Sequence, residues 1–477
     1  MREVESDSGT DRPRKKSRLK SVDKDERIKE LEKRVTELER AVSKTSPESN
    51  RNILPVDLEN QYQRSSRNDL PLPPLPRIDR LTADHIERYS RQMILSNGFG
   101  VAGQQKLLSS SVLVIGAGGI GSTALLYLAS SGIGRLGIVD FDSVEVSNLH
   151  RQVIHATNRV GWNKALSACA TLRDLNPTVE CVAYTEELMH GNVQALVNSY
   201  DCVVDCSDNP RTRYLINDAC VIEGKPLVSG SSVGFEGQLT VYNSSRSDKS
   251  PCYRCLYPGP SATAGCRACS DAGVLGPVPG LIGILQSIEV LKLLTNHGDL
   301  MDRRLLMYDS MSSSFMNIRK PPNQPKCPVC GPNPTIKTMA ESNESLLATA
   351  GPKRDALPPP LPKDLEVTCL EFQKEWENSN SIILLDVRVK EQFDICSIPG
   401  SIHIPLEELP NRLADVEALS KSSKVVYCIC RRGFRSIDAV TILQEGRPSH
   451  PGIHSVKNIE GGLDQWRETV DNSFPKY

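Results

Sequence analysis

The sequence carries almost no net charge and contains no long hydrophobic run. Its 57 lysines and arginines are balanced by 58 aspartates and glutamates, so the charge does not indicate a bulk nucleic-acid or membrane-surface function. No run of 18 apolar residues is present, and no apolar signal segment follows Met1, which argues against secretion and membrane insertion. We therefore expect a cytosolic protein that binds no membrane and makes no direct contact with nucleic acid.

Cysteine, in contrast, is abundant, with 15 in a chain of 477 residues. Because disulfides do not persist in the cytosol, these thiols are expected to bind metal or to take part in catalysis. The length of the chain and its apolar content of 39% are sufficient for at least two hydrophobic cores.

Changes in composition divide the chain into four segments. Residues 1–76 are charged or proline-rich and are predicted to be a disordered tail ending in a polyproline-like linker. Residues 77–331 and 366–477 have the patterns of α/β domains, and 332–365 is predicted to be a second linker. The basic run 14–18 is interpreted as part of the charged tail rather than as a nuclear signal. A short heptad pattern in the tail is equally compatible with an isolated amphipathic helix and with a dimer contact; its apolar positions are Ile28, Leu31, Val35, Leu38 and Val42.

The chain is organised around residues 111–142, where an apolar strand, a glycine-rich turn, a helix and a second strand follow one another. Gly116, Gly118 and Gly121 allow a tight turn and a close approach to phosphate, which the unpaired N–H groups at the start of the helix favour. Asp140 follows Gly121 by 19 residues, a spacing at which a carboxylate can bind ribose hydroxyls. The segment predicts a nucleotide site, although a tight turn without a ligand gives the same glycine pattern.

Charged residues beyond this unit indicate a triphosphate rather than a dinucleotide redox cofactor. Arg151 and Lys164 can bind phosphate oxygens, the arginine in a bidentate manner. Asp142 and Asp208 can hold Mg²⁺, which binds through one or two carboxylates together with phosphate. Taken singly, Arg151 or Lys164 would be interpreted as a solvated surface charge.

Together these motifs resemble the adenylation domain of E1-like, ubiquitin-activating enzymes. The resemblance implies a Rossmann-like α/β domain with a mainly parallel sheet that binds ATP and Mg²⁺. It also implies a homodimer, because the motif 88–92 matches one whose arginine, here Arg91, reaches the nucleotide of the partner subunit. The positions that match the nucleotide motifs are Gly116, Gly118, Gly119, Gly121, Asp140, Asp142, Ser147, Asn148, Leu149, His150, Arg151, Lys164, Asp208 and Asn209.

Two Cys-x-x-Cys pairs, separated by 71 residues, have the spacing of a tetrahedral zinc site. Cys252 and Cys255 form the first pair, and Cys327 and Cys330 form the second. Four thiolates leave no open coordination position, so such a Zn²⁺ is structural and is expected to clamp a long crossover. A redox pair and unrelated core cysteines are the alternatives.

Two further features lie near this crossover. Glycines at 230, 234 and 237 are expected to leave room for a chain to pass over the sheet edge; in the E1-like family that chain is the C-terminal tail of a ubiquitin-like protein. The resemblance also implies that Cys269, which precedes the acid-and-glycine stretch 271–273, forms a covalent acyl or acyl-disulfide link with the activated tail. Cys266 is interpreted as an exposed loop thiol.

In the last segment a cysteine stands where a predicted strand meets a predicted helix. Cys430 would face backbone N–H groups at the mouth of that helix, with Arg431, Arg432 and Arg435 beside it. This environment favours a thiolate, and such a loop can also hold a persulfide anion. A buried strand cysteine is the alternative for Cys430 and the preferred interpretation for Cys428, which the strand alternation places toward the core.

The Cys430 loop, Asp386-Val387-Arg388, the segment 398–405 and the motif around Gly461, Gly462 and Trp466 resemble a rhodanese domain, which covers essentially the whole segment 366–477. Phe434 and Arg435 give the pattern of general rhodaneses, whereas two-domain relatives carry an acidic residue near this end of the loop. The preferred sulfur donor is therefore left open.

The combination of the two domains resembles the eukaryotic adenylyltransferase-sulfurtransferase family of molybdopterin synthesis and tRNA thiolation. It implies ATP-dependent adenylation of the C-terminal glycine of a ubiquitin-like sulfur carrier, such as the small subunit of molybdopterin synthase or a ubiquitin-related modifier. A persulfide on Cys430, charged by a cysteine desulfurase or another sulfur donor, then supplies the sulfur of a thiocarboxylate. The alternatives are an E1 that passes a thioester to an E2, for which a C-terminal ubiquitin-fold domain would be expected, and a non-catalytic scaffold.

Overall fold

The computed structural model describes residues 70–95, 99–244, 246, 250–259, 273–349, 361–379, 381–420 and 424–476. The predictions for the tail up to residue 69, including its heptad pattern and basic run, lie outside the described residues. Cys266 and Cys269 lie outside them as well.

The first domain alternates helices and strands, as its sequence predicts. Its helices are α1 (Ala83–Met93), α2 (Gly100–Leu108), α3 (Gly119–Ser130), α4 (Lys164–Leu175), α5 (Val193–Asn198), α6 (Pro210–Ile222), α7 (Tyr253–Leu256), α8 (Pro277–Thr295) and α9 (Met339–Thr349). Its strands are β1 (Ser111–Ile115), β2 (Arg135–Val139), β3 (Glu180–Tyr184), β4 (Cys202–Asp205), β5 (Leu227–Val233), β6 (Glu236–Tyr242), β7 (Arg304–Asp309) and β8 (Ser314–Arg319).

Within the described residues these strands form one eight-stranded sheet in the order β3-β2-β1-β4-β5-β6-β7-β8. Strands β1 to β5 are parallel, while β6, β7 and β8 continue the sheet as antiparallel strands. Every residue of β1 is buried, because helices cover both faces of the parallel part. One core contains residues of α3, α4 and α8, and the other contains residues of α5, α6 and α9. The predicted Rossmann-like domain with a mainly parallel sheet is confirmed.

Helix α8 is a long apolar helix that packs in the core of the first domain. It is the one described helix that is long and apolar enough, by length and composition, to cross a membrane. Its contacts are those of a core helix, because a Cβ on Gly283 would lie 2.1 Å from the carbonyl oxygen of Ile120 in α3. Its buried Glu289 pairs with Lys292 and accepts a hydrogen bond from the backbone of Met301 at 2.9 Å.

The packing of α8 also corrects the interpretation of two glycines. A Cβ on Gly230 would lie 2.8 Å from Ile282, and one on Gly237 would lie 2.5 Å from the same side chain. These two glycines let α8 approach the sheet, so they leave no room for a passing chain. Of the three, Gly234 alone has no atom of the described residues within 4 Å of an added Cβ, and its φ is +59°.

Both predicted linkers contribute to the first domain. Leu72 of the polyproline-like segment is buried, and its backbone N–H donates to Ser199 Oγ at 3.0 Å. Helix α9 lies inside the segment 332–365 that was predicted to be a linker, and its Met339 and Leu346 are buried in the second core. Because few apolar residues attach α9 to this core, its sequence shows little hydrophobic periodicity.

A buried ion pair joins α6, α7 and α9. The guanidinium of Arg254 contacts the Asp218 carboxylate at 2.7 Å, and the two side chains are 1% and 0% exposed. Asn217 Nδ2 donates to Asp218 Oδ1 at 3.0 Å, and Ser342 Oγ of α9 donates to Asp218 Oδ2 at 2.6 Å. The pair therefore ties the first Cys-x-x-Cys segment to the helix that follows the second.

We expect Asp218→Ala to destabilise the first domain by about 3–5 kcal/mol, because it leaves the buried Arg254 charge without compensation. Ser342→Ala removes one hydrogen bond to the pair and is expected to cost only about 1–3 kcal/mol. Urea denaturation of the full chain measures both free energies of unfolding. Equal effects of the two variants would show that the ion pair does not dominate this contact.

The second domain is a smaller α/β unit. Its helices are α10 (Cys369–Asn378), α11 (Lys390–Ile395), α12 (Leu413–Ser420), α13 (Phe434–Gly446) and α14 (Gly462–Thr469), and its strands are β9 (Glu366–Val367), β10 (Ile382–Asp386), β11 (Ile402–His403), β12 (Val425–Ile429) and β13 (Ser455–Ile459). Within the described residues the strands form a parallel sheet in the order β11-β10-β12-β13-β9. A hydrophobic core lies on each face, as expected for an α/β rhodanese domain.

Candidate functional site

A cleft of about 350 Å³ opens at the carboxyl ends of β1, β2 and β4. In an open α/β sheet this edge is where ligands bind. The structure brings most of the predicted nucleotide residues to this cleft; those that line it are Gly116, Gly118, Gly119, Asp140, Asp142, Arg151, Lys164, Asp208 and Asn209.

The glycine-rich turn forms the floor of the cleft. Gly116 has a φ of +99°, and a Cβ there would lie 2.8 Å from the carbonyl oxygen of Cys206. A Cβ on Gly121 would lie 1.9 Å from the carbonyl oxygen of Gly116, so only glycine lets α3 start so close to the turn. Gly118 caps α3 without a side-chain hydrogen bond, which leaves backbone N–H groups available for an anion.

Asp140 stabilises the glycine-rich turn through hydrogen bonds. Its Oδ2 accepts a hydrogen bond from the backbone of Ala117 at 2.8 Å, and its Oδ1 accepts one from the backbone of Asp142 at 3.0 Å. Burial raises the pKa of Asp140, and the opposite charge of Lys164 partly offsets this. In this structure Asp140 shapes the turn, and its binding of ribose stays a prediction.

Lys164 is held at the cleft by its helix. Asn163 caps α4, with its Oδ1 accepting from the backbones of Ala165 and Leu166, so Lys164 is the first residue of the helix. Its ammonium group contacts the Asp142 carboxylate at 2.8 Å, and the lysine side chain is only 9% exposed. A lysine this buried is not the solvated charge that it would be on the surface.

Arg151 and Asp208 also line the cleft, and their opposite charges interact. Burial lowers the pKa of Arg151, and the opposite charge of Asp208 counteracts this. The Arg151 guanidinium also donates to the carbonyl oxygen of Ser147 at 3.1 Å. Asn209 is the cap of α6, since its Oδ1 accepts from the backbone of Thr212 at 2.8 Å. Lys164 therefore forms an ion pair with Asp142, and Arg151 lies in the field of Asp208.

Other predicted nucleotide residues do not line the cleft. Gly121 lies in the first turn of α3 and acts through packing. Ser147, Asn148, Leu149 and His150 form a short turn before Arg151, where His150 Nδ1 contacts the carbonyl oxygen of Ser147 at 3.0 Å. Arg91 lies exposed on α1, outside the cleft of its own chain. The roles of these residues stay predictions.

Sequence reasoning missed a buried histidine behind the cleft. His155 Nε2 donates to the carbonyl oxygen of Ala117 at 3.0 Å, and its Nδ1 accepts from Ser167 Oγ at 2.9 Å. Burial lowers the pKa of His155 to about 4, so the neutral ring connects the glycine-rich turn with α4, the helix that carries Lys164. A single histidine in the sequence gives no signal of such a role.

Two cleft residues were also missed as site residues. Gln152 is 4% exposed and lines the cleft, and its Oε1 is a buried atom without a hydrogen-bond partner among the described residues. Arg213 lines the cleft as well, and its guanidinium donates to the carbonyl oxygen of Ser207 at 3.0 Å. The unpaired Gln152 oxygen suits a ligand that carries hydrogen-bond donors, as a nucleotide does.

The four predicted zinc ligands converge. Their sulfur atoms all lie within 4.8 Å of one another. The distances are 3.9 Å from Cys252 to Cys255, 3.6 Å from Cys252 to Cys327 and 3.3 Å from Cys255 to Cys330. A tetrahedral zinc with Zn–S bonds of about 2.3 Å places its sulfur ligands roughly 3.8 Å apart, so the arrangement fits this metal.

In the second domain Cys430 follows β12 directly. Its Sγ lies 3.3 Å from Ser436 Oγ, and the loop turns at Gly433, whose φ of +85° precedes α13. The backbone N–H of Leu463 donates to the carbonyl oxygen of Cys430 at 2.9 Å. A Cβ on Gly462 would lie 2.2 Å from that oxygen, which explains the Gly461-Gly462 pair. The cysteine is therefore held at the entrance of a helix, as the sequence predicts.

Cys428 and the ion pair between Arg388 and Asp386 have structural roles in the second domain. Cys428 is fully buried, and burial raises the pKa of its thiol, which agrees with its interpretation as a core residue. Arg388 and Asp386 form an ion pair at 2.5 Å with both side chains 1% exposed. Arg388 also donates to the carbonyl oxygen of Cys396 at 2.7 Å, so it links β10 to the end of α11.

Comparisons with known proteins agree with these two sites. The ThiF family model matches residues 89–329, and the rhodanese-like domain model matches residues 369–469. The chain is 41% identical over 421 residues to the adenylyltransferase and sulfurtransferase MOCS3 of Dictyostelium discoideum, covering 83% of this chain and 98% of that protein. It is 40% identical to MOCS3 of Mus musculus, covering 86% and 91%, and 43% identical to MOCS3-1 of Zea mays, covering 83% and 84%.

Proposed function

We propose a substrate for this chain, which belongs to the ThiF family, carries a rhodanese-like domain and is an adenylyltransferase and sulfurtransferase like its relatives. The substrate is the C-terminal glycine of a ubiquitin-like sulfur carrier, which the enzyme adenylates and converts to a thiocarboxylate. The observation that carries this proposal is the presence of a phosphate-binding cleft and a Cys430 loop in one chain.

The first step takes place in the cleft between β1, β2 and β4. The carrier carboxylate attacks the α-phosphate of ATP, an acyl-adenylate forms, and pyrophosphate leaves. Arg151 and Lys164 stabilise the charge that develops on the phosphates. The unpaired N–H groups at the start of α3 contribute in the same direction. Asp142 and Asp208 are the carboxylates that would hold Mg²⁺, which, when bound, neutralises phosphate charge.

The charged residues of the cleft suggest how the cleft binds the phosphates of ATP. Lys164 is paired with Asp142 at 2.8 Å, and Arg151 faces Asp208. Asp142 and Asp208 would hold a metal ion, and Lys164 and Arg151 would then be available to bind phosphate oxygens. Phosphate would in that case compensate the charges of the two cations.

The second step belongs to Cys430. Its persulfide anion attacks the acyl carbon and AMP leaves, so that an acyl disulfide joins the carrier to Cys430. A second thiolate, which we assign to Cys269, then attacks Cys430 Sγ, and the S–S bond breaks with its electron pair going to the carrier sulfur. The carrier leaves as a thiocarboxylate, a disulfide forms between the two cysteines, and a cellular dithiol reduces it. A cysteine desulfurase or another persulfide-bearing protein supplies the sulfur.

The remaining assignments extend this proposal. The adenylation domain spans 77–331 with α9 docked on it, and the rhodanese domain spans 366–477. The enzyme is a homodimer in which the exposed Arg91 reaches the nucleotide of the partner subunit. We place it in the cytosol, since a cysteine cluster and a reactive Cys430 both require reduced thiols. The carriers serve molybdenum cofactor biosynthesis and tRNA wobble-uridine 2-thiolation.

Mass spectrometry of candidate carriers tests the whole proposal. After incubation with the enzyme, ATP and a sulfur donor, the carrier should gain about 16 Da, the difference between oxygen and sulfur in its terminal carboxylate. Carriers incubated without ATP should remain unchanged. A carrier that instead becomes linked to an E2 as a thioester, with no gain in mass after release, would contradict the sulfur-transfer assignment.

The cysteine cluster leads to a prediction on metal content. We propose that Cys252, Cys255, Cys327 and Cys330 bind one Zn²⁺ per chain, which holds the crossover between them. Cys327→Ser should reduce the bound zinc from about one equivalent to near zero and lower the unfolding midpoint, because metal binding here is folding free energy. Elemental analysis and thermal denaturation measure the two effects.

Cys396→Ser is the matched control, since this cysteine lies in the second domain, away from the cluster. It should keep the zinc content of the wild type. Freshly purified wild-type protein without zinc would contradict the site.

A further inference from the structure

Three arginines follow Cys430 in its loop and at the start of α13, and carboxylates from other segments lie near all three. Arg431 Nε lies 3.6 Å from Asp464 Oδ1, and Arg432 Nε lies 3.8 Å from Asp464 Oδ2. Arg435 lies 3.7 Å from Glu407 Oε1. The positive charge of the Cys430 loop is therefore partly compensated within the protein.

Both carboxylates are fixed relative to the loop by backbone contacts. The backbone N–H of Asp464 donates to the carbonyl oxygen of Arg431 at 2.9 Å, so Asp464 is held against the loop itself. Glu407 follows Leu406, whose backbone N–H donates to the carbonyl oxygen of Val387 at 3.1 Å. Glu407 thus stands on a turn that is anchored to the end of β10.

These contacts affect sulfur donors according to their charge. Thiosulfate is a dianion, and its outer sulfur must approach Cys430 through the field of the three arginines. In that step the Cys430 thiolate attacks the outer sulfur, a new S–S bond forms, the S–S bond of thiosulfate breaks, and its electron pair leaves with sulfite. A carboxylate beside Arg435 weakens the attraction of the loop for such an anion.

We propose that Glu407, with Asp464, determines the donor specificity of the Cys430 loop by disfavouring small, highly charged anions. The proposal deepens the sulfur-transfer function and rests on Cys430 as the sulfur-carrying residue. Glu407 acts through Arg435, so it is a positioning residue. A persulfide presented by a protein brings less negative charge to the loop than thiosulfate does and is affected less.

The size of the effect follows from the exposure of the pair. The side chains of Arg435 and Glu407 are 31% and 50% exposed, so solvent screens their charges and a change of several-fold is expected rather than of several hundred-fold. For Glu407→Gln we expect the KM for thiosulfate to fall about three- to tenfold, with kcat little changed. The assay is thiocyanate formation from thiosulfate and cyanide by the full-length enzyme.

A donor of lower charge separates electrostatics from a general structural effect. Benzenethiosulfonate transfers the same kind of sulfur but is a monoanion. If charge alone is responsible, the logarithm of its fold-change should be about half of that for thiosulfate. Both changes should shrink toward one in roughly 0.5 M NaCl, where the Debye length is only a few ångströms.

Glu408→Gln is the matched control, because it removes the same charge one residue further on. Glu408 pairs with Arg412 at 3.5 Å, and the KM for thiosulfate should stay within about twofold of the wild type. Asp464→Asn is a second variant, expected to lower the KM at least as much as Glu407→Gln does, since Asp464 faces two arginines.

These sulfur-transfer assays test the role of Glu407 and Asp464 without using the carrier reaction. Equal fold-changes for the two donors, an effect that salt does not reduce, or an unchanged KM in both Glu407→Gln and Asp464→Asn would overturn it. If Glu407→Gln fails to fold, Asp464→Asn alone decides. Failure here would leave carrier thiocarboxylation by the wild type intact, whereas failure of the proposed function would appear in the mass of the carrier.

Discussion

Replacing Cys430 by alanine is expected to abolish sulfur transfer while leaving adenylation near the wild-type rate. Cys430 is the residue that the structure holds between the end of β12 and the entrance of α13, with Ser436 Oγ at 3.3 Å. Thiocyanate formation from thiosulfate and thiocarboxylation of a carrier should both be lost. ATP–pyrophosphate exchange should persist, because Cys430 belongs to a different core from that of the nucleotide cleft.

Cys428→Ala controls for packing at the same strand. Cys428 is buried two residues earlier in the chain, so its replacement perturbs the core without removing the sulfur-carrying group, and sulfur transfer should largely remain. Normal thiocarboxylate formation by Cys430→Ala would show that the second domain is not on the pathway.

Replacing Lys164 by alanine should reduce carrier-dependent ATP–pyrophosphate exchange by about 10²-fold or more, the usual cost of removing a group that stabilises transition-state charge. The expectation follows from the burial of Lys164 at the cleft and its ion pair with Asp142. Arg151→Ala and Asp208→Ala should have comparable effects, since these residues also line the cleft. Isotope exchange between pyrophosphate and ATP measures all three variants.

Arg211→Ala provides a comparison for the arginine variant. Arg211 is exposed near the start of α6 and does not line the cleft, so exchange should stay close to that of the wild type. If Lys164→Ala and Asp208→Ala retained the full exchange rate, the cleft would not be the site of adenylation. Sulfur transfer to cyanide should be normal in each of these variants, because it requires no nucleotide.

The sequence was most informative where a local pattern determines the structure. The strand, glycine turn and helix around Gly116 follow from local periodicity, and the same holds for the strand that ends at Cys430. The four zinc-spaced cysteines were also recognisable from their spacing. In each case the residues that define the feature are neighbours in the chain or belong to a short repeated motif.

Features that arise from tertiary contacts were not recognisable. Gly230 and Gly237 were expected to make room for a passing chain, whereas α8 packs on them, and a glycine alone does not distinguish the two cases. The segment that contains helix α9 is predicted to be a linker. The attachment of this helix depends on a tertiary contact, the buried hydrogen bond from Ser342 to Asp218, which the sequence does not show. Strand β8 is exposed along its whole length, so its sequence lacks the alternation of apolar and polar residues that marks a strand with one buried face.

The docking of α9 sets an upper limit on how far the second domain can stand from the first. Only residues 350–360 separate Thr349, at the end of α9, from the described residues that resume at Leu361. Whatever path these eleven residues take, they can span no more than about 40 Å, whereas the whole segment from 332 to 360 could have spanned about 100 Å. A shorter tether raises the effective concentration of one site at the other. Helix α9 therefore restricts how far Cys430 can move from the nucleotide cleft of its own chain, which favours sulfur transfer between the two sites under the proposed function.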